Sequence, residues 1–224
     1  MANATKSSKK AITAHECFHF TWRLRLPRCC TAKHSPPSFK EFPMIGRQVP
    51  NVCLKTRVRD DSIEGPNPFR CEDKLTGDLV AGKRVVIFSL PGAFTPTCSN
   101  SQVPGFEAMY DDFRAEGIDE IYCVSVNDAF VMYQWGKSLG VEKVKLLPDG
   151  SADFTRRMGM LIRKDHVGFG ERSWRYAMVV DNGVITDWFE EPGINDHGLD
   201  NDPYGETAPE NVLAKIKAKQ PELA

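Results

Sequence analysis

No C-x-x-C pair occurs among the seven cysteines of this 224-residue chain, which argues against a dithiol oxidoreductase. The odd count also argues against a secreted disulfide framework and for a reducing compartment with at least one reactive thiol. Long apolar runs are missing. The longest, Val85 to Phe88 resumed at Leu90, falls far short of the ~18–20 residues of a membrane helix. Gly168-x-Gly170 lacks both the third glycine and the preceding strand of a dinucleotide loop, and no phosphate-binding loop or Ser-His-Asp motif is visible. The four tryptophans are scattered, which offers no aromatic platform for nucleic acid.

Acidic residues are scarce at one end. Residues 1–43 hold eight Lys or Arg but only Glu16 and Glu41, a net of +6; the remainder nets −7, giving the formal total of −1. An acidic body does not suit a phosphate backbone as main partner. The basic segment, with Lys6-Ser7-Ser8-Lys9-Lys10, Cys29-Cys30 and Pro36-Pro37, keeps no helical or strand period. It reads as a disordered or removable N-terminal extension, with Met44 as a natural start, or alternatively as a transit peptide. Cys17-x-His19 and Cys29-Cys30 with His34 match no standard zinc spacing, so no metal is expected. His166 and His197 stand in glycine-containing loops, where exposure is the default.

What is present, at 41% hydrophobic and 26% charged residues, is the composition of a globular domain, expected over residues 44–224. Val52, Leu54, Thr56 and Val58 alternate with polar neighbours and predict a half-buried strand, and Phe69 to Glu72 returns as its partner across a turn. Val85 to Phe88, Ile121 to Val126 and Lys143 to Leu147 predict inner strands buried on both faces. Between them, Ser99 to Glu116 reads as a helix broken near its start by Pro104. A second helix runs from an Asp128 cap through Leu139 to Gly140. A short helix near Ala152 to Met158 follows, then a hairpin of Trp174–Val180 and Val184–Phe189 around Asp181-Asn182-Gly183, and a last helix after Pro209. This order predicts an α/β fold: a central mixed sheet flanked by helices, with an N-terminal β-hairpin.

The densest chemistry lies in Pro91-Gly92-Ala93-Phe94-Thr95-Pro96-Thr97-Cys98-Ser99, between a buried strand and a helix. A cysteine in a first helical turn faces unpaired N–H groups and the positive end of the dipole, which favour thiolate over thiol. Thr95 is placed to hydrogen-bond sulfur or substrate. Cys123 falls in an apolar strand and reads first as a packing residue, while Cys53 and Cys71 have no reactive surroundings.

Pro91, Thr95 and Cys98 fit P-x-x-x-T-x-x-C, and here the chain resembles the peroxiredoxins. The longer string, with Cys123-Val-Ser-Val-Asn-Asp, Leu147-Pro-Asp-Gly and Arg175-Tyr-Ala-Met-Val-Val, resembles their type II, or fifth, subgroup from about Met44 onward. The resemblance implies a thioredoxin-like fold and a thiol peroxidase that reduces hydrogen peroxide and organic hydroperoxides to water and alcohols. Cys98 would be the peroxidatic nucleophile that becomes a sulfenic acid, Thr95 would bond the peroxide, Pro91 would shield the sulfur and Arg175 would stabilise charge. Some members carry a resolving cysteine before the last helix; here Pro203 to Pro209 has none. The ending from Glu190-Glu191-Pro192-Gly193 is similar to bacterial members that use glutathione, sometimes with glutaredoxin. The resemblance therefore implies an outside glutathione or glutaredoxin donor, no bound cofactor, a homodimer, and a cytoplasmic site, or a mitochondrial one if residues 1–43 are a transit peptide. Thioredoxin-dependent turnover through Cys123, and a peroxide sensor that passes oxidation to partner proteins, are the alternatives.

Overall fold

The computed structural model describes residues 43–66, 68–198 and 201–219. The readings of residues 1–42, including the cysteine and histidine groups there, lie outside the described residues.

The alternating segment folds as expected: β1 (Cys53–Arg59) pairs antiparallel with β2 (Phe69–Leu75), from Cys53 opposite Leu75 to Arg59 opposite Phe69. Leu54 and Thr56 point inward while Cys53 is exposed, so the hairpin buries one face only. A short helix that the sequence does not announce, α1 (Thr76–Val80), leads to β3 (Arg84–Leu90).

Five strands form the central sheet in the order β5-β4-β3-β8-β9. The strands β3, β4 (Glu120–Ser125) and β5 (Lys145–Pro148) run parallel, and β8 (Tyr176–Asp181) and β9 (Val184–Glu190) are antiparallel additions. Asn182 at φ 45° and Gly183 at φ 85° close the β8–β9 turn, the left-handed pair that a two-residue hairpin requires. Strand β3 sits in the middle and serves two cores. Val86, Phe88 and Leu90 face one core with Phe106, Phe113, Trp135 and Ile216; Val85 and Ile87 face the other with Tyr122, Phe154, Trp174 and Met178. That division is why its sequence reads as a continuous apolar run.

Helices α2 (Val103–Ala108), α3 (Tyr110–Ala115), α4 (Ala129–Leu139) and α6 (Pro209–Lys219) contribute to the first core, and α5 (Asp153–Met158) contributes to the second. Asp128 caps α4 by accepting from the backbone N–H of Phe130 at 2.8 Å and Val131 at 3.0 Å, and Gly140 ends it at φ 67°. The helix expected from Ser99 to Glu116 is instead divided. Cys98–Gln102 forms a π-helical turn, α2 follows with Pro104 in its first turn, and Met109 separates α2 from α3. Pro104 has no N–H to donate, so the wide turn before it removes the conflict that a regular helix would create. A small antiparallel pair, β6 (Leu161–Arg163) and β7 (Glu171–Ser173), is an addition to the expected strands.

Candidate active site

Pro91 and Gly92 leave the C-terminal end of β3 and are buried. Asn127, just beyond β4, holds the loop: its Oδ1 accepts from the Ala93 N–H at 2.9 Å and from the Ser125 hydroxyl at 2.8 Å. Phe94 adopts φ 62° and is 58% exposed. A helical turn opens at Pro96, where a missing N–H costs nothing. The Ser99 N–H donates to the Thr95 carbonyl at 3.0 Å, and the Thr95 hydroxyl donates to the Gly92 carbonyl at 2.8 Å. Cys98 thus lies in the first turn, as expected. Trp135 on α4 pins the next residue, its indole N–H donating to the Ser99 hydroxyl at 3.0 Å.

Cys98 has no exposed surface, and its sulfur accepts from the Arg175 guanidinium Nη1 at 3.5 Å. Arg175, 1% exposed, stands between β7 and β8 rather than inside the hairpin strand expected from Trp174 onward. Its carbonyl still accepts from the Glu191 N–H at 3.2 Å beside the end of β9, so the sheet's pairing extends to it. Burial opposes the charge on this guanidinium, but Cys98 and Asp202 outweigh burial and hold its pKa above the ordinary arginine value. Nη1 also donates to Gln102 Oε1, Nη2 donates to Asp202 Oδ1 at 2.6 Å, and the Tyr204 ring lies 5.6 Å from the guanidinium carbon. Nε of Arg175 is a buried donor with no hydrogen-bond partner among the described residues. A buried cation with one donor on sulfur and another unspent can receive a small, oxygen-rich ligand beside Cys98.

The sheet brings Arg175 to Cys98, and Pro91 and Thr95 lie in the loop that leads into that cysteine. Thr95 spends its hydrogen on Gly92, and its oxygen retains lone pairs for an incoming O–H. Gln102, Asp202, Glu191 and Thr207 were not foreseen. Gln102 follows Cys98 by four positions, the spacing that puts two helical residues on one face, and that was the one signal available. The other three reach the site only through tertiary folding.

Cys123 is fully buried on β4, opposite Phe88 of β3 and Leu146 of β5. Burial pushes its thiol pKa well up; neighbouring Cys98 adds to this and Arg175 opposes it. Cys53 and Cys71 are exposed on the hairpin; His166 is exposed on a single 3-10 turn, Asp165–Val167, and His197 in a loop. No metal-holding cluster occurs among the described residues, and none of their helices is long and apolar enough to cross a membrane.

The Redoxin family profile matches residues 72–203. A peroxiredoxin of Rhizobium etli is 61% identical over 172 residues, covering 77% of this chain and 96% of that one. Among solved structures, the 1-Cys peroxiredoxin antioxidant protein of Plasmodium falciparum superposes with a TM-score of 0.70 at 37% identity, over 77% of this chain and 99% of its own. Reduced Prx3 of Vibrio vulnificus, solved in complex with hydrogen peroxide, gives a TM-score of 0.65 at 35% identity, over 79% of this chain and 97% of its own. The loop ending in Cys98, the sheet that delivers Arg175 to its sulfur and this degree of identity lead to one conclusion: the chain belongs to the peroxiredoxin family, in its type II branch, and is a peroxide-reducing peroxidase.

Proposed function

We propose that the chain reduces hydrogen peroxide and small organic hydroperoxides through Cys98 and is regenerated by glutathione, alone or with glutaredoxin. The observation that carries the reading is the buried sulfur of Cys98 at 3.5 Å from the Arg175 guanidinium. The Cys98 thiolate attacks the terminal oxygen of the peroxide. An S–O bond forms, the O–O bond breaks, and the departing oxygen takes a proton and leaves as water or an alcohol. Sulfur loses two electrons and becomes a sulfenic acid. Arg175 stabilises the charge moving onto the departing oxygen, Thr95 accepts from the peroxide O–H, and Pro91 closes the site to bulk water. The hydrogen peroxide in the Vibrio structure supports the same substrate here.

Regeneration by an outside thiol is supported by Cys123, whose burial keeps it protonated and away from solvent, and by Pro203 to Pro209, which contains no cysteine. One glutathione attacks the sulfenic sulfur and releases water. A second attacks the glutathione sulfur of the mixed disulfide, giving oxidised glutathione and the Cys98 thiolate. A homodimer is the expectation that membership of the type II branch carries, and sedimentation equilibrium or light scattering would read it directly. A coupled assay with glutathione, glutaredoxin and thioredoxin side by side tests the donor. Turnover with thioredoxin alone would overturn the glutathione assignment.

A further inference from the structure

Glu191, just after β9, is buried beneath the segment that leads into α6. One of its oxygens, Oε1, accepts three hydrogen bonds from that segment: Gly205 N–H at 2.8 Å, Thr207 N–H at 2.9 Å and the Thr207 hydroxyl at 2.8 Å. The Trp174 indole fixes the Glu191 backbone by donating to its carbonyl at 2.8 Å. Such an arrangement keeps a buried carboxylate satisfied. It also decides how one proton is used. The Thr207 hydroxyl has a single hydrogen, committed to Glu191, so its oxygen can act toward any other neighbour only as an acceptor.

That neighbour is Gln102. Its Nε2 approaches the Thr207 hydroxyl oxygen at 3.5 Å, while its Oε1 accepts from Arg175 Nη1. Gln102 and Thr207 both have no exposed surface. A carboxamide has one donor end and one acceptor end, and turning it over would set an NH2 group against the guanidinium. We infer that Glu191 and Thr207 are positioning residues of the peroxidase: by fixing the direction of the Thr207 hydroxyl they hold the Gln102 amide with its oxygen on Arg175, and thereby hold Arg175 on Cys98. The chain of bonds runs from the carboxylate of Glu191 through Thr207 and Gln102 to the guanidinium, with donor and acceptor alternating at each step. The same segment adds Asp202 and Tyr204 to the other side of Arg175. In this molecule the stretch before the last helix, which lacks a cysteine, supports the cation.

The inference rests on the peroxidase reading of Cys98 and Arg175, and the experiment separates the two. Thr207→Val keeps the branched shape and removes the hydroxyl, whereas Thr207→Ser keeps the hydroxyl and removes the methyl group. The second-order rate of peroxide consumption is measured for each by stopped flow, beside Cys98→Ser and with thermal melting as the check on folding. Thr207→Val is expected to fall about tenfold, the effect of one ordinary hydrogen bond, and Thr207→Ser to return to within about twofold of wild type. In a Gln102→Leu background, Thr207→Val should cost nothing more, because its effect passes through the amide. Equal rates for wild type and Thr207→Val, or a loss in Thr207→Ser as deep as in Thr207→Val, would overturn the positioning role. A wild-type protein that consumes peroxide no faster than Cys98→Ser would overturn the peroxidase reading itself.

Discussion

Replacing Arg175 by methionine removes the guanidinium that touches Cys98 and leaves an apolar chain in its place. At 3.5 Å a full charge pair interacts by about 4–5 kcal/mol in a medium of effective dielectric near 20. The gross figure is reduced because Asp202 draws on the same guanidinium from 2.6 Å. Removal of a single preorganised donor elsewhere costs about 10²–10³ in rate, and the Asp202 partner puts the expectation here at the lower end, about 10²-fold. Arg175→Lys should recover little, since one ammonium cannot serve Cys98, Gln102 and Asp202 from a planar fork. Stopped-flow consumption of hydrogen peroxide under pseudo-first-order conditions gives the rate, and circular dichroism confirms that the variant is folded. A folded Arg175→Met protein within twofold of wild type would show that the guanidinium beside Cys98 contributes nothing to the chemistry.

Cys123→Ala should keep most peroxide turnover with glutathione, as its thiol is buried and held protonated; loss of turnover in a folded variant would point to an internal disulfide step. Phe106, fully buried and stacked on Phe88 with ring centroids 4.1 Å apart, should cost about 3–5 kcal/mol when cut to alanine, read as a shift in urea midpoint at constant slope. Burial pushes the phenols of Tyr122 and Tyr204 up to about 12. Both are neutral acids whose folded pKa exceeds the unfolded one, so their contribution to stability is complete below about pH 10 and lost as pH rises toward 12. Ultraviolet titration should show these two tyrosines ionising above the ordinary tyrosine range, with fully buried Tyr176 later still, together with loss of the native fold.

Local chemistry explains what could be read from the sequence. The Pro91 to Ser99 string, the Asp128 cap, the Asn182-Gly183 turn and the apolar run of β3 each carry their signal within a few residues, and each took the expected form. Arg175 was accessible through family likeness, although the strand it was assigned to begins one residue later, at Tyr176. The remainder depends on contacts between distant positions. Gln102 meets Thr207 across 105 residues, and Arg175 meets Asp202 across 27. A glutamine in an amphipathic helix and a glutamate after a strand look like solvent-facing residues until folding buries them. The break at Met109 and the β6–β7 pair escaped for another reason. Three-residue strands and a single disrupted helical turn are shorter than any hydrophobic period that could reveal them.

Mass spectrometry after a single equivalent of hydrogen peroxide tests whether Cys98 is the cysteine that takes oxygen from the peroxide. With a sulfenic-acid trap present, the adduct is expected on the peptide carrying Cys98, and in Cys98→Ser both the adduct and rapid peroxide consumption should disappear. A trapped adduct on Cys53, Cys71 or Cys123 with undiminished peroxide consumption in Cys98→Ser would contradict this expectation.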